Sequence, residues 1–272
     1  MFRPNLTDAS NGVGVTIVAP VRNEVKNLPW FISRIPSWVD EVLFIDGSST
    51  DGSQAVIQEL MPSAKLLIQP GRGKGDALAF GLVNASNPVV IAIDTDGSMD
   101  PQTADAFVIA LQAGADVVKG SRYLPGGGSD DLTKLRDIGN KLLTAIANFI
   151  FRQQWSELCY GYFALWHKGV DCLDMEGVVA NHRANSTFLS YGSGFEIETL
   201  TFCRSVRNGL KVVEIPSYEK RRVHGQSNLR TFRDGFRVVW GLGVERTRRA
   251  TKIRDTTSAV GLRTNELDSQ TD

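Results

Sequence analysis

In the first half of the chain, short apolar runs alternate with longer stretches of mixed polar and apolar residues. Brief apolar runs are typical of buried strands, whereas apolar residues at i, i+3, i+4 and i+7 indicate helices. Strands that alternate with helices predict βαβ units and a mostly parallel sheet flanked by helices, an α/β fold. The predicted strands are 15–19, 41–45, 65–68, 89–93 and 116–119, a mixed stretch spans 23–34, and the predicted helices are 51–60, 74–84 and 101–113.

The second half of the chain is less regular. Apolar residues at helical spacing predict helices at 136–152, 195–208 and 231–249, and an apolar run predicts a strand at 211–215. From about Thr251 the sequence becomes polar, so we expect residues 250–272 to form a disordered tail.

Four polar segments follow predicted strands or precede the helices after them. Ligands of open α/β sheets bind at the carboxyl ends of the strands, so these segments predict one shared site. The segments are 20–24, 46–52, 71–76 and 94–97.

Asp94 and Asp96 stand one residue apart directly after the strand 89–93. Residues i and i+2 of an extended chain point the same way, so the two carboxylates can converge on one cation. Such a pair with open positions suits Mg²⁺ or Mn²⁺ held jointly with substrate phosphates. A surface turn is the alternative, since Asp96 precedes a glycine.

The chain has 272 residues and a formal net charge of zero, but the charges are unevenly placed. Residues 219–254 hold eleven Lys/Arg and three Asp/Glu, a net +8, so the remainder carries −8. This basic stretch indicates a phosphate-bearing partner or an anionic membrane, or else a solvated helix face.

Three cysteines without C-x-x-C spacing argue against a zinc site and against a disulfide framework. No apolar run reaches the roughly 18–20 residues of a spanning helix, and the first residues do not resemble a signal peptide. We expect a cytoplasmic protein, with peripheral contact at the inner face of the membrane as an open alternative.

Seven segments of the chain carry a recognisable set of motifs in order. They are Pro20–Glu24, Asp46–Gly52, Gly73–Leu78, Asp94–Asp96, Gly120–Tyr123, Gly194–Glu196 and Arg222–Leu229. Taken together, they resemble glycosyltransferase family 2, most closely its dolichol- or polyprenyl-phosphate mannosyl- and glucosyltransferase branch. The resemblance covers residues 14–249 and implies a GT-A fold. A Rossmann-like half (14–125) would bind the nucleotide sugar, and a smaller half (126–249), with the basic helix, would bind the acceptor.

The resemblance also implies an inverting, metal-dependent sugar transfer from a UDP- or GDP-linked donor, with Mg²⁺ or Mn²⁺ as cofactor. The acceptor would be a polyprenyl phosphate or another small molecule, and no nucleic acid is expected as a partner. Catalytic roles fall on Asp96, Glu196 and Arg122, and metal binding falls on Asp94 and Asp96. Donor-binding roles fall on Pro20, Arg22, Glu24, Asp46, Lys74, Asp94, Arg136, Arg222 and Ser227.

Two departures from the family pattern leave the donor base open. Gly47 replaces a frequent second Asp, and Arg22 stands where Tyr is frequent. Many polyprenyl-phosphate synthases carry Asp-Leu-Gln after the first Asp of the metal motif, whereas this chain has Thr95-Asp96-Gly97-Ser98 after Asp94, so the acceptor is open as well. Two other functions remain as alternatives: a sugar-1-phosphate nucleotidyltransferase and a non-catalytic nucleotide-sugar-binding protein.

Overall fold

The computed structural model describes residues 12–184, 191–225 and 231–248. Its centre is a seven-stranded sheet in the order β3-β2-β1-β4-β7-β5-β8, and β6 and β9 form a separate parallel pair. The strands are β1 Val15–Val21, β2 Glu41–Asp46, β3 Lys65–Ile68, β4 Val89–Ala92, β5 Val117–Ser121, β6 Gly128–Ser129, β7 Phe163–Trp166, β8 Val212–Pro216 and β9 Tyr218–Glu219.

Eight α-helices accompany the sheet in the described part of the chain. They are α1 Leu28–Ser33, α2 Ser53–Leu60, α3 Lys74–Asn84, α4 Ala104–Gln112, α5 Lys134–Phe151, α6 Met175–Ala184, α7 Glu196–Arg207 and α8 Thr231–Thr247. A short 3-10 helix, Pro101–Thr103, leads into α4.

The helices cover both faces of the sheet because successive strand residues point to opposite sides. In β1, Ile17 faces a core that includes Phe31 of α1 and Phe107 of α4. Its neighbour Val18 faces a second core, which includes Leu78 of α3 and Leu200 of α7. The expected α/β architecture, a mostly parallel sheet between helices, is therefore confirmed.

One strand departs from the predicted pattern. β7 lies between β4 and β5 and is antiparallel to both, whereas the other pairings of the large sheet are parallel. Its four residues, Phe-Ala-Leu-Trp, follow an irregular segment. They show no hydrophobic period, and no typical turn residues flank them. Helix α6 was not predicted either.

Two strands from beyond residue 125, β7 and β8, complete the large sheet. The division into halves at 14–125 and 126–249 therefore stays a prediction about binding roles. No helix within 12–184, 191–225 and 231–248 has the length and apolar character needed to cross a bilayer. The predicted tail at 250–272 lies outside the described residues.

Candidate functional site at the carboxyl edge of the sheet

The carboxyl ends of β1, β2 and β4 bring the predicted polar segments to one edge of the sheet. Val21 at the end of β1 pairs in register with Asp46 at the end of β2. Asp94 follows β4 by two residues. Burial raises the pKa of Glu24, and Asp96 and Asp94 also raise it. Glu24 therefore lies within electrostatic reach of Asp94 and Asp96. Asp46 lies at the end of the neighbouring strand.

Asp46 is fully buried, and only one of its carboxylate oxygens is satisfied. Its Oδ2 accepts hydrogen bonds from the backbone N–H of Ser49 at 3.0 Å and from Nε2 of Gln54 at 2.7 Å. Its Oδ1 has no hydrogen-bond partner within the described residues. A buried acceptor without a donor is costly, so this oxygen suits an N–H or O–H group of a ligand.

Lys74, the first residue of α3, lies between two carboxylates. Its Nζ is 2.8 Å from Oδ2 of Asp94 and 2.7 Å from Oε1 of Glu198. Burial alone would lower the pKa of Lys74, but the two carboxylates raise it above its usual value. Burial raises the pKa values of Asp94 and Glu198, against the opposing effect of Lys74. Lys74 thus stays charged and ties the strand-end carboxylate to α7.

Asp96 is held from two sides. Its Oδ1 accepts from the backbone N–H of Ser98 at 2.9 Å, and its Oδ2 pairs with Arg222 at 2.8 Å. The backbone N–H of Val223 donates to the carbonyl oxygen of Asp96 at 3.3 Å. Gly97 has φ +81°, and a Cβ there would lie 2.6 Å from Val223. The segment that follows β9 therefore packs directly against this carboxylate.

The Asp94 and Asp96 carboxylates offer an all-oxygen donor set. The described residues contain no group of three or more His, Cys, Asp or Glu side chains able to hold a metal. Mg²⁺ and Mn²⁺ are commonly bound through one or two carboxylates, with substrate phosphates and water as the other ligands. This donor set fits a divalent ion shared with a diphosphate, and it does not resemble a closed structural metal site.

Arg122 is within electrostatic reach of Glu198 and is already engaged by other side chains. Its guanidinium pairs with Glu157, donates to Glu219 at 2.8 Å, and lies 4.9 Å from the ring centroid of Tyr160. These carboxylates raise the pKa of Arg122 despite its burial. The structure therefore does not present Arg122 as a free phosphate ligand. It joins the end of β5 to the 157–159 segment and to β9.

Glu196 is also engaged in structural contacts. It is 1% exposed, accepts from the backbone N–H groups of Gly192 and Gly194, and pairs with Arg237 of α8. The structure brings Glu198 to Asp94 instead. Glu198 was visible in the sequence as the second carboxylate of the segment Gly194–Glu198, but it was not among the predicted site residues.

The remaining predicted residues are Pro20, Arg22, Arg136 and Ser227. The carbonyl oxygen of Pro20 accepts from Oγ1 of Thr95 at 2.9 Å, which ties β1 to the segment after β4. Arg22 is exposed, and Arg136 lies in the first turn of α5. Ser227 lies outside the described residues.

Comparison with known proteins gives this strand-edge site its context. Residues 16–173 match the family model described as Glycosyl transferase family 2. The chain is 30% identical over 230 residues to Glycosyltransferase AglJ of Haloferax volcanii, which covers 81% of the chain and 68% of that protein. The chain belongs to glycosyl transferase family 2. The resemblance drawn from the motifs is thereby confirmed.

A second relative and a solved structure are also similar to this chain. The chain is 28% identical to polyprenol monophosphomannose synthase of Mycolicibacterium smegmatis, covering 78% of the chain and 80% of that protein. Glucosyl-3-phosphoglycerate synthase from Mycobacterium tuberculosis, crystallised with Mn²⁺, UDP and glucosyl-3-phosphoglycerate, superposes with a TM-score of 0.65 at 19% identity. The superposition covers 90% of this chain and 86% of the synthase.

Membership of glycosyl transferase family 2 decides the class of enzyme. The protein is a glycosyltransferase, and its α/β sheet has the expected GT-A fold. The two alternatives, a sugar-1-phosphate nucleotidyltransferase and a non-catalytic binding protein, are set aside.

Proposed function

We propose that the protein transfers a sugar from a nucleoside-diphosphate sugar to a polyprenyl phosphate, with Mg²⁺ or Mn²⁺ bound at Asp94 and Asp96. The observation that carries this proposal is the cluster at one sheet edge of a carboxylate pair, two cations and the unsatisfied Oδ1 of Asp46. The similarity to the mycobacterial polyprenol monophosphomannose synthase supports a polyprenyl acceptor.

Each part of the cluster has a role in holding the donor. Oδ1 of Asp46 would accept a hydrogen bond from the nucleoside. A divalent ion at Asp94 and Asp96 would neutralise the diphosphate and stabilise it as a leaving group. Arg222, paired with Asp96 in this structure, would exchange that partner for a phosphate oxygen, because a guanidinium forms charge-assisted hydrogen bonds with phosphate as well as with carboxylate.

The transfer itself forms one bond and breaks one. An oxygen of the acceptor phosphate attacks the anomeric carbon, and the bond from that carbon to the diphosphate oxygen breaks with inversion. The phosphate oxygen is already anionic at neutral pH, so no side chain has to remove a proton from it. This agrees with the state of Glu198, which is paired with Lys74 rather than free to act as a base.

Arg136, which the family resemblance placed among the donor-binding residues, is the residue that we assign instead to the acceptor phosphate. It lies in the first turn of α5, an 18-residue helix whose N-terminus is capped by Thr133. Backbone N–H groups and the helix dipole favour anions at such a terminus, and the guanidinium adds a full positive charge.

A product assay with matched variants tests the proposal. Purified protein is incubated with UDP-glucose, UDP-N-acetylglucosamine or GDP-mannose, with Mg²⁺ or Mn²⁺, and with polyprenyl phosphate or 3-phosphoglycerate, and products are identified by mass spectrometry. We expect glycosylated polyprenyl phosphate from one donor. The substitution Asp96→Asn should lower turnover by about 100-fold or more, since losing one preorganised group that stabilises developing charge typically lowers the rate by that factor.

The control for this assay is Asp105→Asn, which changes a carboxylate on α4 whose described hydrogen bond is local, to the backbone of Ala106. Its turnover should equal that of the unmodified protein. Full activity of Asp96→Asn would refute the metal site, and transfer to 3-phosphoglycerate alone would refute the lipid acceptor.

A further inference from the structure

Strand β9 lies between the turn that leads into α5 and the segment that carries Arg222. Its second residue, Glu219, has a side chain that is 16% exposed. One oxygen of this carboxylate, Oε2, accepts from the guanidinium of Arg122 at 2.8 Å and from the hydroxyl of Ser129 in β6. Glu219 belongs neither to the carboxylate pair nor to the cations paired with it, so any part it has in sugar transfer is indirect.

Ser129 carries this attachment into the turn before α5. Its Oγ accepts from the backbone N–H groups of Asp131 at 3.1 Å and Leu132 at 3.0 Å. The backbone N–H of Asp130 donates to the carbonyl oxygen of Glu219 at 2.9 Å. Three successive N–H groups of the turn are therefore fixed by Glu219, either directly or through Ser129. The N-cap residue of α5 follows at once.

The first turn of α5 directs Arg136 toward the same side as Asn140. The two residues are four positions apart, which is about 40° around a helix. Asn140 is buried, and its Nδ2 donates to Glu157 at 2.7 Å. Glu157 pairs in turn with Arg122, which directly follows β5 at the carboxyl edge of the sheet. The turn fixed by Glu219 thus determines where Arg136 stands at that edge.

The chain beyond β9 reaches the carboxylate pair within three residues. The backbone N–H of Lys220 donates to the carbonyl oxygen of Ser98 at 2.8 Å, and Arg222 pairs with Asp96. The backbone N–H of Ser98 donates to Oδ1 of the same carboxylate. Residues 219–222 therefore connect the turn before α5 directly to the proposed metal site.

We propose that Glu219 is a positioning residue that sets the distance between the acceptor phosphate and the donor. This inference rests on the proposed function, in which a phosphate bound at Arg136 attacks a donor held at Asp94 and Asp96. In such an attack the reacting atoms must come within about 3–3.5 Å in the right orientation, and a misplacement of about 1 Å can cost about 100-fold in rate. A charged link between the two sites limits that error.

The ratio of sugar transfer to donor hydrolysis tests this role. Polyprenyl phosphate is the acceptor, and the donor is whichever of UDP-glucose, UDP-N-acetylglucosamine and GDP-mannose the unmodified chain uses. Glu219→Ala should lower transfer at saturating acceptor about tenfold or more, because the attacking oxygen is misplaced. Hydrolysis and its dependence on Mn²⁺ should be unchanged, since water needs no positioned acceptor. A variant that is merely less stable would lose both activities in proportion.

Two further variants trace the effect to Ser129. Ser129→Ala should lower the ratio as well, and combining it with Glu219→Ala should add little, because both substitutions break the same chain of hydrogen bonds. Glu219→Gln keeps an oxygen that can accept from the Ser129 hydroxyl. It should restore the ratio to within about threefold of the unmodified chain, since a neutral hydrogen bond keeps roughly half the strength of a charged one.

The matched control is Glu41→Ala, which removes a carboxylate with a similar number of hydrogen bonds far from this site. It should lower the stability of the protein and leave the ratio of transfer to hydrolysis unchanged.

Hydrogen exchange measures the same link without any acceptor. Peptides that cover 129–136 should exchange faster in Glu219→Ala than in the unmodified chain, because the turn loses its attachment. Peptides that cover 41–46 should exchange at the same rate in both.

Three results would overturn the role of Glu219. They are an unchanged ratio in Glu219→Ala, additive losses in the double variant, and unchanged exchange over 129–136. If the unmodified chain glycosylates no polyprenyl phosphate, the proposed acceptor is wrong instead, and hydrogen exchange still decides whether Glu219 fixes the turn.

Discussion

The Asp94 and Asp96 carboxylates each have a cation of their own: Lys74 on Asp94 and Arg222 on Asp96. The two cations differ in their attachment. Lys74 also pairs with Glu198 and is fixed at the start of α3, whereas Arg222 follows β9 in a segment bound by few backbone contacts. At the proposed metal site, a divalent ion would therefore compete with Arg222 more than with Lys74.

Arg222→Ala should have opposite effects on metal binding and on turnover. Without the guanidinium beside Asp96, Mn²⁺ alone should bind roughly threefold or more tightly, because a competing positive charge has been removed. Turnover with the donor should fall about tenfold or more, since a charge-assisted hydrogen bond to the diphosphate is lost. Electron paramagnetic resonance of free Mn²⁺ and the product assay measure the two effects.

Arg221→Ala is the control for that pair of measurements, because Arg221 is exposed and contacts the carbonyl oxygen of Asp130. It should change neither quantity appreciably. Weaker Mn²⁺ binding in Arg222→Ala would contradict the competition between the two cations.

The sequence predicted some of these residues better than others. Asp46 and Asp94 are recognisable because a carboxylate that follows an apolar strand can only lie at the sheet edge. Glu196 and Glu198 are harder to separate. Two residues apart at the start of a helix, they point about 200° away from each other, so only one can face Lys74. Which one does so depends on how α7 packs, and local sequence does not determine that.

At the scale of elements, the start of α3 lies close to the turn before α7. The backbone N–H of Gly75 donates to the carbonyl oxygen of Ser193 at 2.9 Å. Gly73 has φ +92°, and a Cβ there would come 2.2 Å from the same oxygen. This close contact of two backbones holds Lys74 beside Glu198. The glycines therefore support the site by letting α3 and the turn before α7 approach each other closely.

Gly75→Ala should destabilise the protein, because the new Cβ would lie 1.8 Å from the carbonyl oxygen of Gly192. We expect a loss of at least about 2 kcal/mol, as for other substitutions that force a packed backbone apart. Gly139→Ala on α5 meets nothing within 4 Å and should instead stabilise by roughly 0.5–1 kcal/mol, the difference in helix propensity.

Urea unfolding followed by circular dichroism gives both values for the glycine pair. Equal stability of the two variants would show that α3 can move away from the 191–194 turn at little cost.

Most elements were predictable because their patterns are local. Strand 65–68 and helix 74–84 have the predicted bounds, and α5, α7 and α8 begin or end within about two residues of prediction. β7 was not predictable in the same way. Its direction and its place between β4 and β5 follow from long-range pairing, which four apolar residues do not encode by themselves.

At the scale of the whole molecule, Glu41 fastens the edge of the sheet opposite the site. Its carboxylate accepts from Oγ1 of Thr16 at 2.6 Å and from the backbone and hydroxyl of Ser86, both at 2.9 Å, and it pairs with Lys65. These residues belong to β1, β3 and the approach to β4. Burial alone would raise the pKa of Glu41, but the hydrogen bonds lower it to about 2.

Glu41→Gln should therefore make the stability of the protein less dependent on acid pH. A carboxyl whose pKa is lower in the folded state stabilises the fold above its unfolded pKa of about 4.3 and loses that contribution as pH falls toward 2. We expect the variant to be less stable by roughly 1–3 kcal/mol at pH 7, the usual cost of a lost charged hydrogen bond. The difference should shrink between pH 5 and pH 3.

Urea titrations at pH 7, 5 and 3 measure this difference. The control is Glu59→Gln, which changes an exposed carboxylate on α2. A gap between Glu41→Gln and the unmodified protein that stays constant with pH would contradict the assigned pKa.

The position of β7 has a consequence for the chain while it is being made. Strands β4 and β5 leave the ribosome before the strand that lies between them, so each has an unpaired edge until residue 166 has emerged. All four residues of β4 are completely buried in the finished sheet. Premature pairing of β4 with β5 would close the gap that β7 needs, and open apolar edges favour such errors and aggregation. The order of synthesis thus conflicts with the order of the sheet beside β4, the strand that leads to the carboxylate pair.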